Sequence, residues 1–121
     1  MKHYCTLSDK NYLKRGIVLL DSLKRTSSED FILYYLCMDE ETYVGVSGIE
    51  NVKAIPLSEL ESEHDFDILK KNTQYIPNSS DCTFCFALGS YFTEYIVRKY
   101  GPPDVLYIDA DIIFYQDPKL V

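Results

Sequence analysis

The chain has 121 residues, a hydrophobic fraction of 46% and a formal net charge of -7. This length is typical of one domain with a buried core, and the apolar content argues against intrinsic disorder. The negative charge disfavours nonspecific binding to nucleic acid, which requires a basic surface. The N-terminal sequence MKHYCTLSDK lacks an apolar signal segment, and the run FILYYLCM is too short to span a bilayer. We therefore expect a cytoplasmic protein with no nucleic-acid partner and no membrane span.

The first half of the chain alternates between strand and helix patterns. Residues 3–8 predict a strand, Asp9 is placed to cap the next helix, and residues 11–24 carry apolar side chains three or four positions apart. Residues 31–38 are apolar throughout, which is typical of a parallel strand covered on both faces. Residues 39–48 begin as a short helix that ends among glycines.

The second half continues this alternation with a third strand, a helix, a loop, an aromatic-rich helix closed by Gly101, and a final strand. Pro56 favours the end or the edge position for the third strand. The alternation predicts an α/β fold with a mostly parallel sheet and helices on both faces. The third strand is predicted at residues 51–57, the helix at 58–72, the loop at 72–80, the aromatic-rich helix at 81–101 and the final strand at 105–108. Residues 112–115 are predicted to continue or restart the final strand.

Four cysteines are present, at Cys5, Cys37, Cys82 and Cys85. Because no export signal precedes them, we expect reduced thiols that fill the core as small apolar groups. Cys82 and Cys85 also form an isolated CxxC pair. Metal or redox chemistry at this pair stays open as the alternative, although a zinc site would need two more ligands.

The final predicted strand carries two carboxylates, Asp109 and Asp111, where its apolar run ends. Residues two apart in a strand face the same side, so the two side chains are predicted to point together. The carboxyl ends of parallel strands are where α/β proteins bind ligands. Two close negative charges favour a bound cation, and oxygen ligands suit Mg²⁺ or Mn²⁺ better than zinc. The alternative is a solvated strand end at which two aspartates mark a turn.

The segment VLYIDADIIFYQDP resembles the DxD region of nucleotide-sugar glycosyltransferases with the GT-A fold. The segment YCTLSDKNYLKRGIVLLDSLKR resembles their first strand and helix, particularly in the family 8 type, and LYYLCMDEETY resembles their second strand and turn. The resemblance covers nearly the whole chain in the same order. It implies a Rossmann-like, GT-A-type nucleotide-diphospho-sugar transferase fold.

The resemblance also implies a UDP-sugar donor, held with the help of Mn²⁺ or Mg²⁺. In the family, the end of the first strand holds the base and ribose, and the DxD holds the cation on the diphosphate. Read without the family, the strand end would be an ordinary helix cap and Tyr12 a core contact. The implied nucleotide-binding residues are Thr6, Leu7, Ser8, Asp9 and Tyr12, and the implied metal ligands are Asp109 and Asp111, which would not act as bases.

The family's acceptor region lies downstream of its DxD. Residues 1–121 are therefore expected to form a single nucleotide-sugar-binding domain, the donor half of an incomplete GT-A fold. The acceptor would be an unidentified sugar or glycan, and the isolated chain is expected to be inactive in transfer. One alternative is a truncated GT-A-like domain that catalyses nothing and self-associates through an exposed sheet edge. The other is a DxD phosphatase, whose first aspartate is a nucleophile.

Overall fold

The computed structural model describes residues 1–72 and 83–115. Strands and helices alternate along these residues as the sequence predicts. The strands are β1 (Lys2–Ser8), β2 (Phe31–Cys37), β3 (Val52–Pro56) and β4 (Leu106–Tyr107). The helices are α1 (Leu13–Thr26), preceded by a 3-10 turn at Lys10–Tyr12, then α2 (Glu40–Val46), α3 (Leu57–Glu61), α4 (Phe66–Asn72) and α5 (Thr83–Tyr100).

Within these ranges the strands form one parallel sheet in the order β3-β2-β1-β4. The chain moves outward from β1 to β3 and then returns to the other side of β1 for β4. The direction of the strand order therefore reverses between β1 and β4. Pro56 ends β3, which lies at a sheet edge as predicted.

Helices cover both faces of the sheet, because alternate side chains of each strand pack into different hydrophobic clusters. On one face, Leu33 and Tyr35 of β2 pack with Leu19 and Leu23 of α1. On the other face, Tyr34 and Leu36 pack against α3, α4 and α5. The predicted fold class is confirmed: the chain is an α/β protein with a Rossmann-like parallel sheet and helices on both faces.

The predicted single helix over residues 58–72 is wrong, since residues 62–65 separate α3 from α4. Leu60 and Phe66 explain the break, because both are fully buried in the same cluster. Six residues of continuous helix would rotate the second side chain about 120° away from the first, at roughly 100° per residue. The break restores the phase, so that both side chains reach the same core.

The described thiols are buried as predicted, and Cys5 and Cys37 are both free. Burial raises the pKa of the Cys5 thiol to about 11, although a hydrogen bond between this thiol and the Thr93 hydroxyl lowers the pKa in part. Burial likewise raises the pKa of Cys37 to about 12. Both thiols are therefore protonated and unreactive at neutral pH. The side chains of Cys82 and Cys85 and most of the predicted loop lie outside the described residues.

No helix in the described ranges combines the length and the apolar character that a membrane crossing requires.

Candidate functional site at the carboxyl edge of the sheet

The carboxyl ends of β1 and β4 are neighbours. Tyr4 and Cys5 pair with Leu106 and Tyr107, and the backbone N–H of Ile108 donates to the Cys5 carbonyl oxygen at 2.9 Å. The chain leaving β1 and the chain leaving β4 therefore emerge at the same sheet edge. Because the strand order reverses here, this edge is a topological switch point, the usual ligand crevice of open α/β sheets.

The loop after β1 is organised by Asp9, which caps the 3-10 turn as predicted. Its Oδ1 accepts from the backbone N–H of Asn11 at 2.9 Å and of Tyr12 at 3.3 Å. The side chain thus satisfies backbone donors that would otherwise lack partners at the start of a helix. The loop consequently has a fixed path from the strand into α1.

Asp39 connects this loop to the start of α2. Its Oδ1 accepts from the backbone N–H and the hydroxyl of Thr42 at 2.9 and 2.6 Å, and its Oδ2 accepts from the backbone N–H of Lys10 at 2.8 Å. Burial alone would raise the pKa of the Asp39 carboxyl, but these hydrogen bonds and the Lys10 charge lower it. The ionised carboxylate therefore holds the ends of β1 and β2 together.

Three predicted nucleotide-binding residues lie within β1 and are directed inward. Thr6 is fully buried, and its hydroxyl has no hydrogen-bond partner among the described residues. Ser8 is buried beneath α1, where its hydroxyl bonds the Tyr35 hydroxyl at 2.6 Å. Leu7 is half-buried against the cluster on the opposite face. Side chains alternate between the two faces of a strand, and helices cover both faces of this sheet, so these three residues pack inside the domain beneath the loop.

Tyr12 is the predicted nucleotide contact with the greatest access to solvent. Its side chain is 48% exposed, so the alternative that it is a core contact is wrong. The guanidinium carbon of Arg15 lies 5.1 Å from the ring centroid, a cation–π arrangement that orients the ring. Tyr12 thus presents an accessible aromatic ring in the segment that follows the carboxyl end of β1.

Asp109 and Asp111 follow β4 in a turn rather than in a strand. β4 ends at Tyr107, and the backbone N–H of Ile112 donates to the Asp109 carbonyl oxygen at 3.1 Å. The prediction that residues 112–115 continue or restart the strand is wrong for the described chain. Both aspartates are exposed while Ala110 between them is buried, so both carboxylates lie on the solvent side.

The two carboxylates fit the ligand chemistry of a hard divalent cation. Mg²⁺ and Mn²⁺ take oxygen ligands and commonly complete their coordination with water and phosphate oxygens. In the part of the chain that the structure describes, no three His, Cys, Asp or Glu side chains form a group that could hold a metal ion. Among the described residues, the carboxylates that this turn offers are those of Asp109 and Asp111.

Several residues that shape the site were not singled out from the sequence. Asp39 was detectable, because an aspartate after a strand and three residues before Thr42 is a helix-capping pattern. Ser22 was visible as a small polar residue next to Leu23 on the buried face of α1. Its partner, the backbone of Phe114, lies 92 residues away in sequence, and no local pattern indicates that contact.

No protein-family model matches the chain. The chain is 28% identical over 119 residues to the uncharacterized protein YfnF of Bacillus subtilis (strain 168), and 25% identical over 122 residues to YfnD of the same strain. These matches cover 96% and 98% of this chain. The chain spans 37% of the length of each of these relatives.

Among solved structures, the fold is similar to that of the WbbM bifunctional glycosyltransferase in its apo form, with a TM-score of 0.54. The sequence identity is 15%, and the similarity covers 98% of this chain and 20% of WbbM. At this identity the similarity concerns the fold alone. The chain therefore has a glycosyltransferase-like fold.

Proposed function

We propose that the chain binds a nucleoside-diphosphate sugar, with UDP as its nucleotide, as the donor-binding part of a glycosyltransferase. One observation carries the proposal. The predicted nucleotide-binding loop at Asp9 and Tyr12 and the predicted metal ligands Asp109 and Asp111 are about 100 residues apart in sequence. They nevertheless follow neighbouring strands at the switch point of a glycosyltransferase-like sheet.

The loop after β1 is proposed to bind the base of the donor, and the turn after β4 is proposed to bind its diphosphate. The exposed ring of Tyr12 offers a surface on which a base can stack, an interaction worth about 1–3 kcal/mol in single-stranded nucleic-acid complexes. A diphosphate is repelled by an edge that carries carboxylates on a chain of net charge -7. We propose that Asp109 and Asp111 hold Mn²⁺ or Mg²⁺, which screens this repulsion and binds the diphosphate oxygens.

Sugar transfer requires more than donor binding, because an acceptor must be held in line with the donor and positioning is a large part of the rate. The proposed acceptor is a sugar or glycan that binds next to the donor in a longer protein of this type. We expect the 121-residue chain, assayed alone, to bind UDP without transferring sugar.

The binding test is calorimetric titration of UDP into the chain, once with Mn²⁺ and once with EDTA. Mn²⁺ should raise the affinity for UDP in the unmodified chain, and this gain should disappear in Asp109→Asn and Asp111→Asn. Asp104→Asn is the matched control, since Asp104 is an exposed carboxylate that precedes β4 at the opposite end of the strand. That variant should bind like the unmodified chain.

Equal affinities with Mn²⁺ and with EDTA would contradict the metal role. The same titrations with GDP, CDP and inorganic phosphate test the identity of the ligand. Equal affinity for all three nucleotides would contradict the uridine preference. Binding of phosphate as tight as that of UDP would favour a phosphatase, in which the first aspartate is a nucleophile.

A further inference from the structure

Ser22 lies on the buried face of α1 and is completely inaccessible to solvent. It is far in sequence from the turn that carries Asp109 and Asp111, which we call the acidic turn. Its hydroxyl donates to the Leu19 carbonyl oxygen of the same helix at 2.7 Å. The Ser22 Oγ in turn accepts a hydrogen bond from the backbone N–H of Phe114 at 3.0 Å. One buried hydroxyl therefore joins the first helix to the segment that leaves β4.

The acidic turn sits between two fixed points. On the upstream side, the backbone N–H of Ile108 bonds the Cys5 carbonyl oxygen of β1, and the Ile108 side chain is buried. On the downstream side, Phe114 is bonded to Ser22 and its half-buried ring packs on the cluster beneath α1. Asp109 and Asp111 are exposed between these points.

This arrangement matters because β4 itself is short. With two residues in the strand, the ladder to β1 constrains the upstream end of the turn but not its return. Ile112 and Ile113 are 39% and 43% exposed, so burial of these side chains fixes the return only weakly. The hydrogen bond from the Phe114 N–H to Ser22 Oγ, together with the packing of the Phe114 ring, ties the returning backbone to the body of the domain.

We infer that Ser22 is a positioning residue for the metal-binding pair, acting through the Phe114 backbone to hold the acidic turn in its ligand-presenting shape. The inference rests on the proposed function, because it concerns the same cation. Loss of a hydrogen bond that orients a metal ligand typically lowers metal affinity about 10- to 100-fold. Ser22 acts on the backbone rather than on a ligand, so we expect the lower end, about tenfold.

The test compares Ser22→Ala with the unmodified chain by titrating UDP in Mn²⁺ and in EDTA. The readout is the ratio of the two affinities, which a general loss of stability would leave unchanged. We expect Ser22→Ala to lower this ratio about tenfold while the affinity in EDTA stays the same. Thr93→Val is the matched control, because the Thr93 hydroxyl also bonds its own helix, to the Gly89 carbonyl oxygen, on the opposite face of the sheet. The control should keep the ratio.

The outcomes separate this inference from the proposed function. An unmodified chain that binds UDP equally in Mn²⁺ and EDTA would refute the proposed function. A normal ratio in Ser22→Ala, or an equal loss of both affinities, would overturn the role of Ser22 alone. Amide hydrogen exchange of the unmodified chain covers the case in which Ser22→Ala does not fold. The Phe114 amide should exchange more slowly than that of Tyr115, and equal exchange would show that the tether does not form.

Discussion

Replacing Gly16 by alanine tests how tightly α1 packs on the strand that supports the site. A Cβ at this position would lie 1.9 Å from the hydroxyl oxygen of Tyr35 and 2.8 Å from its Cζ. Tyr35 is 1% exposed, and its hydroxyl bonds the Ser8 hydroxyl at the end of β1. The ring has no solvent to move into, so the substitution must displace either α1 or the Tyr35–Ser8 pair.

Two costs and one gain determine the size of the effect. Overpacking of a filled core costs about 1–3 kcal/mol. Loss of the buried Tyr35–Ser8 hydrogen bond leaves hydroxyls without partners, at about 1–3 kcal/mol. Alanine improves helix propensity over glycine by about 1 kcal/mol. We therefore expect Gly16→Ala to lower the free energy of unfolding by about 3 kcal/mol.

Urea denaturation measures this change, and a double-mutant cycle identifies its cause. Tyr35→Phe removes the atom nearest to the new Cβ, so the Gly16→Ala/Tyr35→Phe chain should recover at least about 1 kcal/mol relative to additive behaviour. Gly45→Ala is the control, because its Cβ would meet only the end of the flexible Leu13 side chain at 2.8 Å. It should change stability by less than about 1 kcal/mol. A neutral or stabilising Gly16→Ala would refute the packing argument, as would additive behaviour in the cycle.

Two further predictions concern partly exposed carboxylates that accept several hydrogen bonds. Burial alone would raise the pKa of the Asp39 carboxyl, but hydrogen bonds at the start of α2 lower it. The stabilisation from this group is fully present above the ordinary aspartate pKa of about 4 and is lost as the pH falls through its lower value in the folded protein. The stability difference between the unmodified chain and Asp39→Asn, measured by denaturation, should therefore shrink from about pH 7 to about pH 3; a constant difference would contradict this. The Glu59 carboxylate accepts hydrogen bonds from the hydroxyls of Tyr95 and Tyr100 at 2.8 and 2.9 Å. Glu59→Gln should cost about 1–2 kcal/mol at neutral pH. Glu61→Gln, which removes a surface ion pair with Lys70, should cost less than about 0.5 kcal/mol; equal costs would argue against a stabilising role for the hydrogen bonds at Glu59.

Much of the fold was predictable because local and tertiary preferences agree. The apolar run at residues 31–38 is typical of a strand covered on both faces and contains β2, and Asp9 caps the next helix as its position indicated. The break at residues 62–65 was not predictable from charge. Residues 58–72 begin with Glu59 and Glu61 and end with Lys70 and Lys71, which suits the dipole of a single helix equally well. It follows from the need to bury Leu60 and Phe66 in one core.

The candidate site was predictable in location but not in detail. The sequence placed Asp109 and Asp111 at the end of the last strand, and the structure places them just beyond it, in a turn. The apolar residues after them suggested a strand, but the backbone turns back at Phe114 to reach Ser22. A tertiary contact between distant parts of the chain overrides the local β pattern here. The sequence also does not show that the Thr6 side chain points into the core. Helices cover both faces of the sheet, so no exposed face is marked by polar residues along β1.

Paramagnetic broadening by Mn²⁺ tests the central claim most directly, because it reports where the metal and nucleotide bind together. Amide spectra of the isotope-labelled chain with UDP are compared after addition of a small amount of Mn²⁺ and, as the diamagnetic control, Mg²⁺. The proposed site predicts that Mn²⁺ selectively broadens the amides of residues 109–111 and 9–12, on the two sides of the switch point. Broadening centred on the acidic segment at residues 59–67, or spread evenly over the chain, would contradict it.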